Sequence, residues 1–315
     1  MGCLKSRGGQ RLSGVLARLR QWRPGRGLVI AVPMGWLLLF FLAPFVIDFK
    51  ISLAQVQVAI PPYTPMFEWV QDKALAIRLH WHNYAFLFTD SLYIRSYIYS
   101  LQVAAVSTLF CLLLGYPMAY GIARAEPATR NLLLMLVVLP FWTSFLLRVY
   151  AWMGLLRNNG LINNALLSLG LIDTPIQMMQ TDFSVYIGIV YSYLPFMILP
   201  LYTNLEKHDN TLLEAAADLG ARPVTAFLRV TLPLSLPGIL AGSLLVFIPV
   251  VGEYVIPSLL GRPDQLMIGR VLSDEFFANR DWPVASAVAI LMLVFLLLPI
   301  MLFQRAQQRN AAGQT

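Results

Sequence analysis

Long apolar stretches alternate with short polar ones along the chain. Six of them reach the length of about 20 residues that a helix needs to cross the hydrocarbon core of a bilayer. They are residues 28–47, 96–123, 131–156, 183–205, 230–252 and 282–304. The fifth stretch continues past Glu253 to residue 260. The pattern predicts an all-α membrane protein with six transmembrane helices.

A seventh apolar stretch, residues 158–172, is too short and too polar to cross. It contains four asparagines, and its apolar side chains would share one face of a helix. This pattern is typical of a short helix that lies in the membrane interface.

Composition supports the membrane prediction. Hydrophobic residues make up 58% of the 315 residues and charged residues only 12%, whereas an ordinary soluble domain carries roughly 25% charged residues. Such a chain lacks the polar residues to cover a core in water, which excludes soluble classes. Disordered, collagen-like and disulfide-scaffold proteins are excluded by the same numbers.

The distribution of charge predicts the orientation. The net charge is +7, and seven basic residues with no acid precede the first apolar stretch. If this basic arm is cytoplasmic, the cytoplasmic segments hold 14 Lys and Arg and the outer loops 8, in agreement with the positive-inside rule. We expect both termini in the cytoplasm, with an arm (1–27), a membrane domain (28–304, core about 96–304) and a tail (305–315). The basic excess then reflects topology, not nucleic-acid binding.

Candidate catalytic groups are scarce. His80, His82 and His208 fall in loops between the predicted spans, and no H-E-x-x-H motif or Walker A loop occurs in the sequence. Cys3 and Cys111 would lie in the arm and inside a span, so no disulfide is expected. These features disfavour an enzyme, and we expect neither a metal site nor a cofactor.

The longest loop predicted to be cytoplasmic, residues 206–235, carries a distinctive pattern. An apolar stripe predicts a helix that ends before Gly220, and Arg222-Pro223 fits the start of a second short helix. Small side chains at 215–217 would let another protein approach closely. The alternative is an amphipathic loop that lies on the membrane.

This loop matches the pattern E-A-A-x3-G-x9-[IV]-x-L-P and resembles the signature of permease subunits of bacterial ABC importers. The resemblance implies the type I (MetI-like) importer permease fold and identifies the loop as the helix that docks on the ATPase. Among the implied residues, Asp218 and Arg222 are candidates for pairing with the ATPase. The residues implied in coupling are Glu214, Ala215, Ala216, Asp218, Gly220, Arg222, Val230, Leu232 and Pro233.

Three further stretches, residues 59–64, 143–153 and 279–283, resemble the putrescine and spermidine permeases of this family. The resemblance implies an inner-membrane subunit that forms half of a path for polyamines. The implied partners are a second related permease, two ATPase subunits that bind the ATP, and a periplasmic polyamine-binding protein.

Arg148 and Glu253 are the charged residues that fall deep within the predicted spans. At about 1.5 Å per residue they would lie roughly 26 and 22 Å from the inner ends of their helices, which are similar depths. Two interpretations are open: the residues pair and neutralise each other, or Glu253 faces the path and attracts a cationic cargo. Aromatic candidates for cation–π contact with that cargo are Trp142, Tyr150, Tyr191, Tyr193 and Tyr254.

Two alternatives to a polyamine importer are also open. The same architecture could carry another solute, such as ferric iron or sulfate, because Arg148 leaves an anionic cargo open. A secondary transporter that works without ATP is disfavoured, since it predicts no E-A-A loop and often shows an inverted repeat.

Overall fold

Helices account for most of the structure. The computed structural model describes residues 24–65, 67–70, 74–77, 79–209 and 211–312. The helices, in chain order, are α1 (Pro24–Leu37), α2 (Ala43–Ser52), α3 (His82–Thr89), α4 (Ser91–Arg124), α5 (Pro127–Val138), α6 (Phe145–Leu156), α7 (Leu161–Ser168), α8 (Asp182–Leu205), α9 (Thr211–Asp218), α10 (Pro223–Ala226), α11 (Leu232–Leu234), α12 (Leu236–Val251), α13 (Val255–Leu260), α14 (Ile268–Ser273) and α15 (Trp282–Ala312).

Other regular elements join or follow these helices. π turns lie at Leu38–Leu42, Phe227–Thr231 and Asp274–Ala278, and a 3-10 turn at Leu139–Trp142 extends α5. Strands β1 (Phe67–Val70) and β2 (Ala74–Ile77) form a small antiparallel hairpin after the first span, in which Phe67 pairs with Ile77.

The helices long and apolar enough to cross a membrane as single segments are Val29–Ser52, Ser91–Arg124, Asp182–Leu205 and Trp282–Met301. Two bent pairs pass the same test, Pro127–Trp142 with Phe145–Ser168 and Pro223–Leu234 with Leu236–Val251. If each bent pair counts as one crossing, the described residues contain six spans. The predicted all-α membrane architecture is confirmed.

The structure describes only part of the predicted N-terminal arm and of the predicted C-terminal tail. Residues 1–23 of the predicted arm and residues 313–315 of the predicted tail lie outside the described residues. The last helix, α15, continues to Ala312 rather than ending at residue 304. The predicted short helix within 158–172 is α7, and Leu161 on it and Leu169 after it are exposed.

The predicted span at residues 131–156 is not one straight helix. The backbone at Thr143 is extended, with φ −96° and ψ 151°, and the following helix leaves at 90°. Pro140 lies in the 3-10 turn just before this point. Proline has no N–H to donate and its ring clashes with the carbonyl four residues earlier, which favours a break at this point. The depth of Arg148 inferred from a straight helix is therefore wrong.

The fifth apolar stretch is divided as well. The pairs Pro223–Leu234 and Leu236–Val251 meet at 62°. Helix α12 then stops before Gly252, and α13 begins only at Val255. Glu253 therefore lies in a break between two helices, so the apolar stretch 230–260 is not one straight helix.

Helices α4, α8 and α12 pack against one another at the centre of the bundle. Glycines let them approach closely: a β-carbon on Gly115 would lie 3.0 Å from Cγ of Met197, and one on Gly242 would lie 2.8 Å from its Sδ. Met197 is fully buried. Small residues are expected at helix contacts in a membrane, where close packing of backbones holds helices together.

We expect Gly242→Ala to weaken the packing of α12 on α8. The added methyl would lie 3.1 Å from the carbonyl oxygen of Met197 as well as close to its sulfur, and the carbonyl moves only if α8 shifts. Overpacking of this kind costs about 1–3 kcal/mol, so the melting temperature of the purified protein in detergent should fall.

Gly121→Ala is the matched control for this change. Gly121 is also a helical glycine, and no atom lies within 4 Å of its β-carbon position. Equal melting temperatures for the two variants would contradict the proposed contact.

Candidate functional site

The helix α9 of the E-A-A segment has well-formed ends. Before it, Oδ1 of Asp209 accepts a hydrogen bond from the backbone N–H of Thr211 at 2.9 Å, and this bond lowers the pKa of Asp209. After it, Gly220 adopts a φ of +80°. The N–H of Gly220 donates to the carbonyl of Ala217 at 2.8 Å, and that of Ala221 to the carbonyl of Ala216 at 2.9 Å. This pair of bonds is a Schellman motif, so Gly220 ends the helix as predicted.

The surface of α9 is open within the described structure. No residue of the helix is buried, and Glu214, Ala215 and Asp218 are exposed. Leu219 at its end has 88% of its surface exposed, and Arg222 in the following turn is exposed too. An amphipathic helix that is this uncovered offers its whole length to another surface.

The second half of the segment is anchored to the bundle. The ring of Phe227 packs edge-on against Tyr116 and Tyr120 of α4, with centroid distances of 5.6 and 6.1 Å. The hydroxyls of Tyr116 and Ser235 are hydrogen-bonded at 2.9 Å, and Thr231 is buried. These contacts tie this half of the segment to α4 and to the start of α12.

The sequence-predicted coupling residues thus fall into two groups. Those from Glu214 to Arg222 lie on the open helix α9 or in the turn that follows it. Val230 and Leu232 are half-buried and Pro233 is exposed, and they belong to the anchored part around the π turn. A salt bridge of 2.9 Å between Arg130 and Glu206 ties the start of α5 to the end of α8 at the same end of the bundle.

The second candidate site is the break at Glu253, a buried residue that is 8% exposed. Oε1 accepts hydrogen bonds from the backbone N–H groups of Val255 at 3.0 Å and Ile256 at 3.3 Å. The hydroxyl of Tyr193 donates to Oε2 at 2.5 Å. Glu253 therefore caps α13 and binds α8, and it presents a carboxylate at a point where the span is broken.

Arg148 and Glu253 do not form an ion pair in the described structure. The guanidinium of Arg148 lies over two rings instead, with its central carbon 5.3 Å from the centroid of Phe141 and 5.8 Å from that of Phe145. The neutralising pair that the similar depths suggested is therefore absent here. Both residues sit beside breaks in their spans.

The predicted aromatic residues differ in their placement. Tyr193 is half-buried on Glu253, whereas Tyr150, Tyr191 and Tyr254 are exposed to the outside of this chain. Trp142, with 79% of its surface exposed, lies in the 3-10 turn before the bend. The ring of Tyr191 also contacts Trp152 at 5.5 Å.

Two aromatic residues of this region were missed by sequence reasoning. Phe196 contacts Phe141 edge-on at 5.2 Å and Tyr193 at 6.0 Å, so a row of rings runs from Arg148 to Glu253. Positions 193 and 196 share a helix face by their spacing of three, which is the signal that could have found Phe196. Phe141 reaches Phe196 because the chain bends after Trp142, and no local sequence pattern shows this bend.

The comparisons with known proteins define the class of protein, the membrane subunits of ABC importers. The fold resembles a chain of a bacterial alginate ABC transporter solved in complex with an alginate-bound periplasmic protein, with a TM-score of 0.69 and 17% identity, over 92% of this chain and 98% of that one. The profile of the family described as binding-protein-dependent transport system inner membrane component matches residues 111–312. The chain belongs to this family, and it is a multi-pass inner-membrane transport component rather than an enzyme.

Curated relatives are similar along most of the chain. The spermidine/putrescine transport system permease protein PotB of Haemophilus influenzae is 40% identical over 281 residues, which cover 89% of this chain and 93% of the relative. The protein of the same name from Escherichia coli K12 is 39% identical over 282 residues, covering 89% and 97%.

We expect Gly220→Ala to loosen the end of α9. An alanine at φ +80° is strained by about 1–2 kcal/mol, although no atom lies within 4 Å of its β-carbon. Amide hydrogen exchange of residues 211–218 should therefore accelerate by about fivefold or more. Gly154→Ala is the control, because its β-carbon also meets no atom within 4 Å and its φ is not positive. Unchanged exchange in the Gly220 variant would contradict the role of this cap.

Proposed function

We propose that the chain is a permease subunit of an ATP-driven importer of polyamines, forming half of the translocation path. The observation that carries the cargo is the carboxylate of Glu253, which is held at a broken span beside Tyr193. The identity of about two fifths to spermidine/putrescine permeases, over nearly nine tenths of the chain, supports the same cargo.

Glu253 suits a polyamine chemically. A polyamine is a row of ammonium groups joined by methylenes, so it needs carboxylates for its charges and aromatic or apolar surfaces for its stem. Near Glu253, the rings of Phe196 and Tyr254 are partly exposed. Each offers a face to a cation that approaches the carboxylate from outside this chain, where the second half of the path would lie.

The assembly follows from the family and from the open helix α9. A second related permease would complete the path, two ATPase subunits would bind the ATP, and a periplasmic polyamine-binding protein would deliver the cargo. This chain itself would need no cofactor. The segments predicted to share the side of α9 hold 14 Lys and Arg residues against 8 in the outer loops, which supports a cytoplasmic location for this end of the bundle and for both termini.

The anchored half of the segment supports a coupling role. Closure of the ATPase subunits would push α9, and the push would reach α4 through Phe227 and Tyr116 and α12 through Ser235. Rigid helices joined by packed side chains transmit such a displacement. The path would then open outward to receive cargo, and hydrolysis would restore the inward-facing state.

We expect Glu253→Gln to abolish most polyamine uptake while the helix cap survives. The amide oxygen can still accept from the N–H groups of Val255 and Ile256, and the amide nitrogen can donate to Tyr193. An interaction with a charged group contributes about 1.5–3 kcal/mol, so uptake of radiolabelled putrescine or spermidine should fall about tenfold or more.

The matched control is Glu126→Gln, the same chemical change at an exposed residue before α5. Wild-type uptake by the Glu253 variant, present in the membrane at wild-type amounts, would contradict the proposed site. Uptake of sulfate or ferric iron instead of polyamines by the wild-type importer would contradict the proposed cargo.

We expect Ala215→Leu to separate ATP hydrolysis from uptake. The side chain of Ala215 is exposed, so the larger residue leaves the fold of this chain intact but obstructs a close approach by the ATPase. Uptake should fall while the purified complex keeps ATPase activity that the binding protein no longer stimulates. Ala128→Leu, at an exposed alanine in the first turn of α5, is the control, and unimpaired uptake by the Ala215 variant would refute the docking role.

A further inference from the structure

Arg148 carries buried guanidinium nitrogens that the described residues leave without a hydrogen-bond partner. These nitrogens are Nε and Nη1. The contacts of its guanidinium are with the rings of Phe141 and Phe145. Arginine carries its charge permanently, so it cannot escape burial by losing a proton.

Cation–π contacts compensate only part of this burial. A ring face attracts the guanidinium, but it does not accept the in-plane N–H bonds as an oxygen does. Buried charges in proteins are paired or fully hydrogen-bonded. An arginine with two enclosed and unpaired nitrogens therefore points to an acceptor outside this chain.

The other deep charge of the chain does not serve as this acceptor. Both oxygens of Glu253 are engaged, one by two backbone N–H groups and the other by Tyr193. Swinging the carboxylate to Arg148 would uncap α13 and leave those groups unpaired. The row of rings formed by Phe141, Phe196 and Tyr193 contacts Arg148 at one end and Glu253 at the other.

The surroundings of Arg148 indicate where its partner lies. Leu147 and Tyr150 on the same helix are exposed, and Trp142 in the turn before this helix is exposed as well. These are large side chains that the chain itself does not cover. Cationic cargo would be repelled by the guanidinium, so the complementary group is an anion fixed on a neighbouring protein surface.

We propose that Arg148 forms a buried ion pair with a carboxylate of the second permease subunit and thereby helps to hold the two subunits together. The proposal rests on the proposed function, which supplies the second permease. A guanidinium binds a carboxylate with two parallel hydrogen bonds, which would use the unpaired nitrogens and fix the relative orientation of the subunits.

The test measures assembly rather than transport. The complete importer is expressed with a tag on the second permease, and the amount of this chain captured with it is quantified. Arg148→Met keeps the apolar stem over the rings and removes the charge, and recovery of this chain should fall about tenfold or more. Arg148→Lys keeps the charge and should restore most of the recovery. Arg157→Met, the same change at an exposed arginine after α6, is the control and should assemble normally.

A charge exchange identifies the partner. Arg148→Glu should abolish capture, and replacing the membrane-embedded Asp and Glu residues of the second permease by Arg, one at a time, should restore it at one position. Capture of the Arg148→Met variant at wild-type levels would overturn the proposal. Failure of every exchange to rescue Arg148→Glu would overturn it too. In that case, if removing lipid from the wild-type complex abolishes capture and adding phospholipid restores it, lipid phosphate is the partner. If the wild-type chain captures no second permease, the proposed function fails instead.

Discussion

The structure of the membrane domain depends on how the break before α13 is closed. In hydrocarbon, a backbone N–H without an acceptor is strongly unfavourable, so a helix starts there only when some group takes its first donors. One oxygen of Glu253 accepts from Val255 and Ile256, and the other binds Tyr193. The carboxylate that stabilises the break is thereby fixed between α8 and α13. The far end of α13 is closed in the same way, since the hydroxyl of Ser184 donates to the carbonyl of Leu260 at 2.7 Å.

Local sequence patterns were sufficient where local interactions decide the structure. The helix stop at Gly220 could be predicted because a left-handed C-terminal residue is a property of that residue and its immediate neighbours. The apolar spans could be predicted because crossing a bilayer requires a certain length of apolar residues. The family pattern located the E-A-A segment because that pattern is carried by neighbouring residues of one loop. Only the structure shows that the second half of the segment is anchored through Phe227 and that its first half is open.

Prolines within the spans indicate where a helix can bend, but which of them mark a bend could not be predicted, because proline alone does not determine it. Pro195 and Pro200 lie inside the continuous helix α8, whereas Pro140 lies at a break followed by a 90° turn. In each case the freed carbonyl and the steric clash are the same. What differs is the packing of neighbouring helices, which either holds the chain straight or accommodates a change of direction. A property of the assembled bundle is not visible in a window of one helix.

The comparison of Arg148 and Glu253 shows why an expected ion pair does not form. Their similar depths suggested that each would neutralise the other, but that estimate treated both spans as straight. In the structure Glu253 finds two amide donors only two and three residues away, so capping costs almost no additional ordering of the chain. A pair with Arg148 would have to replace those two bonds and the bond from Tyr193. The short-range bonds engage both oxygens of the carboxylate and leave the guanidinium without a hydrogen-bond partner among the described residues. The break at Glu253 therefore also explains why Arg148 is left for the partner that we propose in the second permease.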